Sequence, residues 1–342
     1  MKDITTIGLD LAKNVFYIHG VDSRGKTVVK QKLTRAKVLA FFANLQPCLV
    51  GMEAGGGSNY WAREIKKLGH DTKVMAAQFV KPYIKSNKND SNDAEAICEA
   101  VARPNMRFIS VKTIDQQDIQ SVHRIRERLV TSRSSLACEI RGLLGEYGIV
   151  MPQGIREMPK LLPDIIANTN NQLTSFTRDL IQDLFSELLS LTEKIKKYNK
   201  LIEQIHASHP VAQRLTTIPG VGPIAATAIL ANAADPSMFK NGREFSAYFG
   251  LVPRQVSSGG KQQLLGISKR GDRYIRMMLI HGARAAVGHN KNIKGESAKR
   301  IEWVKKLREK KSYNKTAVAL ANKNARTIWA LLNSGEVFKP VA

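Results

Sequence analysis

A chain of 342 residues, 43% of them apolar, is longer than a single hydrophobic core ordinarily serves, so two or more domains are expected. With 53 Lys and Arg against 29 Asp and Glu, its formal net charge of +24 makes a field that gathers polyanions, and nucleic acid is the leading partner. No apolar run is long enough to span a membrane, and the opening MKDITTIGLDLAKN has no signal-peptide core. Cys48, Cys98 and Cys138 form no CxxC pair, which gives no zinc site, suits a reducing cytoplasm and leaves all three as expected core fillers.

The amino-terminal segment alternates strand and helix signals. ITTIGLDLA, NVFYIHGVD and KTVVKQKL are β-rich runs, with Asp-Ser-Arg-Gly marking a hairpin between the last two. RAKVLAFFANL has helical spacing, PCLVGME is a buried strand, SNYWAREIKKLG is a helix closed by Gly69, and HDTKVMA is another strand. Three strands followed by helix, strand, helix and strand is the order of an RNase H-like domain. Asp10 closes the first strand and Glu53 the fourth. KSNKNDSNDAEAI then opens a helix with Asp90 and Asp93 three positions apart on one face. Four clustered carboxylates would repel and protonate unless a divalent cation sat among them, and oxygen-only ligands suit Mg²⁺ or Mn²⁺. The plainer alternative makes Asp90 a helix cap, Asp93 a dipole partner, and Asp10 and Glu53 solvated strand ends.

GLDLAKN, MEAGGGSNYW and KNDSNDAEAI resemble, in order and spacing, the DEDD motifs of insertion-sequence transposases of the IS one-ten family, in its IS eleven-eleven branch. The resemblance runs nearly end to end. It implies an amino-terminal domain similar to the Holliday-junction resolvase RuvC, with Asp10, Glu53, Asp90 and Asp93 as the metal-binding carboxylates.

From Asp115 the chain turns helical. Ile119, Val122, Leu129, Leu136, Ile140 and Leu143 share an apolar side, leaving Arg124, Arg126, Arg128, Arg133 and Arg141 to line a nucleic-acid channel or simply to face solvent. Ile181, Leu184, Leu188, Leu191, Ile195, Tyr198, Ile202 and Ile205 then form a heptad seam. It predicts a coiled coil and self-association, with an intramolecular helical hairpin as the other partner open to the same pattern. The expected domains are 1–150, a RuvC-like DEDD domain; 151–210, a helical coiled-coil linker; and 211–342, a serine transposase domain.

The last of these opens with LTTIPGVGPIAATAILA, where Pro219 to Pro223 resembles the turn of a helix-hairpin-helix that can hold a phosphate on backbone N–H groups. In PRQVSSGGKQQLLGISKRGDRYIR, the cations Arg254, Lys261, Lys269, Arg270, Arg273 and Arg276 surround Ser257, Ser258 and two glycines, with Asp272 as the only acid. That composition fits a phosphate clamp holding a hydroxyl, or equally a backbone-binding turn. The resemblance implies that Ser258, directly before Gly259, is the family's nucleophilic serine, and the doubled serine keeps Ser257 in play. The basic tail from Asn290 predicts two further helices, the second with Val318, Ala321, Ala325, Ile328 and Leu332 along one side.

These readings converge on a DNA transposase or site-specific recombinase in a prokaryotic cytoplasm. The resemblance implies a phosphoserine–DNA intermediate and a noncoding guide RNA. A homo-oligomer, dimer or tetramer, is expected. A metal-dependent junction resolvase or nuclease, a DNA invertase, and a non-enzymatic nucleic-acid binder are the alternatives.

Overall fold

The computed structural model describes residues 3–85, 89–233, 235–288 and 298–339. The chain forms two compact units, Met1–Thr113 and Ile114–Ala342.

The first unit is built on a mixed sheet. Its elements are β1 (Thr6–Asp10), β2 (Val15–Val21), β3 (Thr27–Thr34), α1 (Val38–Ala43), β4 (Leu49–Glu53), α2 (Ser58–Lys67), β5 (Asp71–Met75), α3 (Ala77–Val80), α4 (Asp90–Val101) and β6 (Phe108–Ile109). The strands lie in the order β3-β2-β1-β4-β5-β6. β1, β2 and β3 are an antiparallel meander, β4 and β5 add on in parallel, and β6 closes the far edge antiparallel. The expected hairpin after β2 is held by Asp22, whose Oδ1 accepts the N–H groups of Arg24 and Lys26 at 2.9 Å each, with Gly25 at a φ of 76°. One face of the sheet buries Ile7, Leu9, Phe16, Val50 and Met52 against Val38 and Phe42 of α1 and Trp61 and Ile65 of α2. The other face receives α4. Both faces are therefore covered, as a sheet with parallel central strands requires.

The second unit is mostly helical. Its elements are α5 (Ile114–Gly145), α6 (Met158–Ala167), α7 (Ser175–Ser208), α8 (Pro210–Leu215), α9 (Pro223–Ala233), α10 (Gly242–Tyr248), β7 (Pro253–Ser258), β8 (Lys261–Ile267), α11 (Arg273–Gly288), α12 (Ala298–Lys310) and α13 (Tyr313–Ser334). The predicted tail helices are α12 and α13, and residues 290–297 of that stretch lie outside the described residues. The long helices α5 and α7 pack antiparallel. Near one end Tyr147 Oη and Thr177 Oγ1 are 2.8 Å apart, and farther along Arg126 Nε donates to Asn199 Oδ1 at 2.6 Å. Ile181, Leu188, Leu191 and Ile195 of the heptad seam, joined by Phe185, bury against Leu129, Leu136, Ile140 and Leu144. Of the two partners open to that seam, the structure shows α5 of the same chain. The apolar side of α5 runs through Leu144, whereas the expected Leu143 is exposed.

In the carboxyl-terminal core α9 is almost wholly buried, and three helices meet through one polar knot. His123 of α5 has its Nδ1 at 3.0 Å from the Tyr274 hydroxyl of α11 and its Nε2 at 3.0 Å from Thr227 Oγ1 of α9. The Thr227 hydroxyl donates to the Pro223 carbonyl at 2.7 Å, so its proton is spent there and His123 Nε2–H must donate to it. The ring is neutral and its pKa is lowered by burial to about 4. Cys48 and Cys98 are buried as expected of core fillers, but Cys138 is exposed on α5.

Candidate functional site

The carboxylates are brought together by two glycines and a cap. β1 and β4 are parallel neighbours, so Asp10 and Glu53 end adjacent strands on the same edge of the sheet. Two residues earlier in each strand, and so on the same face, stand Gly8 and Gly51. A Cβ at Gly8 would lie 2.1 Å from the Ala94 carbonyl oxygen, and one at Gly51 would lie 2.6 Å from Val101 Cβ. Only glycine lets α4 settle this close. The helix begins on Asn89, whose side chain accepts the Asn92 N–H at 2.9 Å. Asn89, not Asp90, is thus the cap, which leaves both aspartates of the first turn free to face the strand ends.

Carboxylate oxygens of Asp10, Asp90 and Asp93 all lie within 4.8 Å of one another. Glu53 is outside that trio but near enough to act on it. The pKa of Asp10 is raised to about 6, chiefly by burial, then by the charges of Asp93, Asp90 and Glu53, against a lowering hydrogen bond from the Leu11 N–H. Asp93 Oδ1 is buried with no hydrogen-bond partner among the described residues. A buried oxygen without a donor, inside a repelling group of oxygen ligands, is what a hard divalent cation would satisfy. The donor set fits such an ion. Gly8, Gly51 and Asn89 were not singled out from sequence, although the repeated Gly-x-acid at both strand ends, GLD and GME, carried the signal.

Ser257 and Ser258 end β7, and Gly259 and Gly260, with φ of 54° and 77°, make the two-residue turn into β8. Both serines are exposed, on opposite sides of the ribbon. Ser257 Oγ accepts a hydrogen bond from Gln255 Nε2 at 2.8 Å, whereas the Ser258 hydroxyl has no partner among the described residues. Arg254 and Lys261 are exposed on the same hairpin. Lys269 and Arg270 sit in the loop before α11, and Arg273 is the first residue of that helix. The loop is fixed by Gly250 and Gly271, whose added Cβ atoms would stand 2.3 Å from the Arg270 oxygen and 1.9 Å from the Tyr248 oxygen. Arg276 leaves the group of six cations. It is buried and its Nη1 donates to the carbonyls of Phe249 at 3.1 Å and Arg270 at 2.9 Å. Arg141 is likewise engaged, donating to the carbonyls of Pro152 and Gln153.

The turn at Pro219 to Pro223 packs on α11, where Gly220, with a φ of 84°, meets Gly282 backbone to backbone. Asn324 Nδ2 donates to the Pro219 carbonyl at 3.1 Å, and the Gly222 side is open.

A unit that groups carboxylates at strand ends, and another with a cationic hairpin and loop, describe a protein that handles nucleic acid. Comparison with known proteins defines the class as DNA transposases. The chain is 45% identical over 339 residues to the "Transposase for insertion sequence element IS1111A" of Coxiella burnetii, covering 99% of this chain and 92% of that one. It is 39% identical over 340 residues to the "Transposase for insertion sequence element IS1328" of Yersinia enterocolitica, covering 99% of each. A DEDD transposase family model matches residues 7–149, and the model described as "Transposase IS116/IS110/IS902 family" matches residues 212–297. The chain belongs to the IS110 family of insertion-sequence transposases. Among the described residues no helix is long and apolar enough to cross a membrane.

Proposed function

We propose that this transposase cuts and rejoins DNA with two sets of groups, a Mg²⁺ or Mn²⁺ site at Asp10, Glu53, Asp90 and Asp93 and a nucleophilic serine at Ser258. The observation that carries the reading is the approach of Asp10, Asp90 and Asp93 within 4.8 Å at the end of a parallel strand pair. A meander of three strands followed by parallel β4 and β5 supports an RNase H-like, RuvC-like fold for this part. The functional division is by role: 1–150 for the DEDD domain, 151–210 for the helical linker and 211–342 for the serine domain, whose Pro219–Pro223 turn serves as a helix-hairpin-helix phosphate contact.

When bound, the cation would neutralise phosphate charge and lower the barrier to displacement at phosphorus. Arg254, Lys261, Lys269, Arg270 and Arg273 hold the backbone in register. Ser258 Oγ forms a bond to phosphorus as the bond to the departing strand oxygen breaks. The ester keeps the phosphodiester energy, so rejoining needs no ATP. Sequence choice is delegated to a noncoding guide RNA that pairs with DNA, and the +24 charge suits so much polyanion. Exposed Leu143, Val150, Phe176 and Leu180, where α5 finishes and α7 begins, support assembly as a dimer or tetramer. The setting is a prokaryotic cytoplasm.

One observation favours a second reading. The Ser258 hydroxyl has no neighbouring base among the described residues, as in a resolvase or nuclease that hydrolyses strands with its metal site alone. A DNA invertase would share the serine chemistry. The deciding experiment incubates protein, DNA, Mg²⁺ and cognate RNA, denatures the mixture, and maps any DNA-linked peptide by mass spectrometry. An adduct on Ser258, lost in Ser258→Ala and kept in Ser257→Ala, is expected. Free-ended products without an adduct would establish hydrolysis instead.

A further inference from the structure

A cleft of about 610 Å³ lies between α5 and α11 within the second unit; no residue of the metal site or of the serine hairpin lines it, and Arg273 alone is shared with the cations proposed to hold DNA near the serine. Its α5 wall is a single stripe running from Arg126 to Cys138 at helical spacing, roughly 18 Å long at the α-helical rise. The volume falls in the range of ligand clefts, roughly 300–1,000 Å³.

The lining changes character along its length. At one end stand Arg126 and Arg273, whose guanidinium groups favour an anion, beside the start of α11, where the Asp272 carboxylate already accepts the Ile275 N–H at 2.9 Å. Arg126 is held in place rather than loose, with its Nε donating to Asn199 Oδ1 at 2.6 Å. The side of the cleft formed by α11 offers Met277 and Met278, polarizable apolar groups that pack on flat rings. Beyond them the α5 wall carries the hydroxyls of Thr131, Ser134 and Ser135. Glu127 is the one carboxylate among the lining residues, with the charge of Asp272 nearby at the start of α11. An anion-holding end, a thioether side and a row of hydroxyls match phosphate, base and base edge of one nucleotide. A duplex cannot enter so small a cleft and keeps its base faces stacked away from protein.

We infer that the α5–α11 cleft takes up one unpaired nucleotide of a nucleic-acid strand, phosphate toward Arg126 and Arg273 and base against Met277 and Met278. The inference rests on nucleic acid as the partner and not on the serine chemistry.

Cys138 supplies the probe. It lies in the cleft and is exposed, whereas Cys48 and Cys98 are buried, so a maleimide reports on this wall alone. The full-length Ser258→Ala protein, in EDTA, is labelled with and without a single-stranded oligothymidylate or a duplex of equal length, while anisotropy records binding of each. With single strand at about ten times its Kd, labelling of Cys138 should slow about tenfold, and duplex should leave it nearly unchanged. Ser135→Trp, which fills the cleft from an exposed position, should weaken single-strand binding about tenfold while duplex binding and melting temperature hold. Binding of single strand without protection, equal protection by duplex, or unchanged affinity in Ser135→Trp would each overturn the inference. Absence of binding by either oligonucleotide would overturn it together with the nucleic-acid reading, and EDTA with Ser258→Ala keeps both outcomes separate from the chemistry.

Discussion

A methyl group at Gly8 would stand 2.1 Å from the Ala94 carbonyl oxygen, inside any van der Waals contact, so the spacing of β1 and α4 is set by a missing side chain. Gly8→Ala should therefore push α4 off the sheet and carry Asp90 and Asp93 away from Asp10. The expected loss is about 1–3 kcal/mol of stability and a larger loss of divalent-ion binding. Calorimetric titration of Mn²⁺ into a variant that still melts cooperatively checks this. Unchanged affinity would show that the close contact does not position the carboxylates.

Asp10 gives a pH dependence of definite sign. Its pKa of about 6 lies above the ordinary 3.8, so the folded state holds the proton more tightly than the unfolded chain. That contribution is fully present below the unfolded pKa and is lost as pH rises through about 6. Without metal, Asp10→Asn should therefore raise the melting temperature more at pH 7.5 than near pH 4. Divalent-ion affinity of the native protein should climb over the same interval, because the ion displaces the proton.

His123 should behave oppositely. Its pKa falls from 6.5 to about 4 on folding, so the unfolded chain takes up the proton first. Stability from the neutral ring is present above about 6.5 and is lost as pH falls toward 4, on the order of 3 kcal/mol in all. Denaturant midpoints of wild type and His123→Gln should converge across that range.

Arg273 and Arg276 stand three residues apart and should give opposite phenotypes. Arg276→Ala removes a buried donor from the Phe249 and Arg270 carbonyls and should destabilise the fold by about 2–4 kcal/mol. Arg273→Ala should leave the melting temperature alone and reduce the salt slope of nucleic-acid binding by about one.

Leu188→Lys should destabilise by about 3 kcal/mol or more, since Leu188 is 1% exposed between α5 and α7. Because α5 of the same chain covers it, the drop in melting temperature should not depend on protein concentration.

What could be seen in advance follows the range of each interaction. Alternation and i, i+3 spacing are local, so Asp10 and Glu53 at strand ends and Asp90 and Asp93 on one helix face were legible, as was the meander. The heptad seam was equally plain, but a periodic stripe defines a face and not its partner, and only the tertiary structure supplied α5. Arg276 looked like its five cationic neighbours because burial leaves no mark on composition. Cys138 misled for the same reason. Leu143 and Leu144 show the limit at finer grain, where one residue of helical phase decides which faces inward.

All six residues of β7 are exposed, and among the described residues the strand pairs only with β8. A two-stranded ribbon with no layer behind it is at best marginally stable in water. The tip that carries Ser258 therefore draws little stability from packing, and a nucleic-acid surface laid along it would supply the missing layer. Backbone amides of β7 and β8 should exchange with solvent quickly in the free protein and slowly in the complex. If Ser258 attacks phosphorus, its reactivity is withheld until the correct strand has built its surroundings, which guards the genome against cuts made by an idle enzyme.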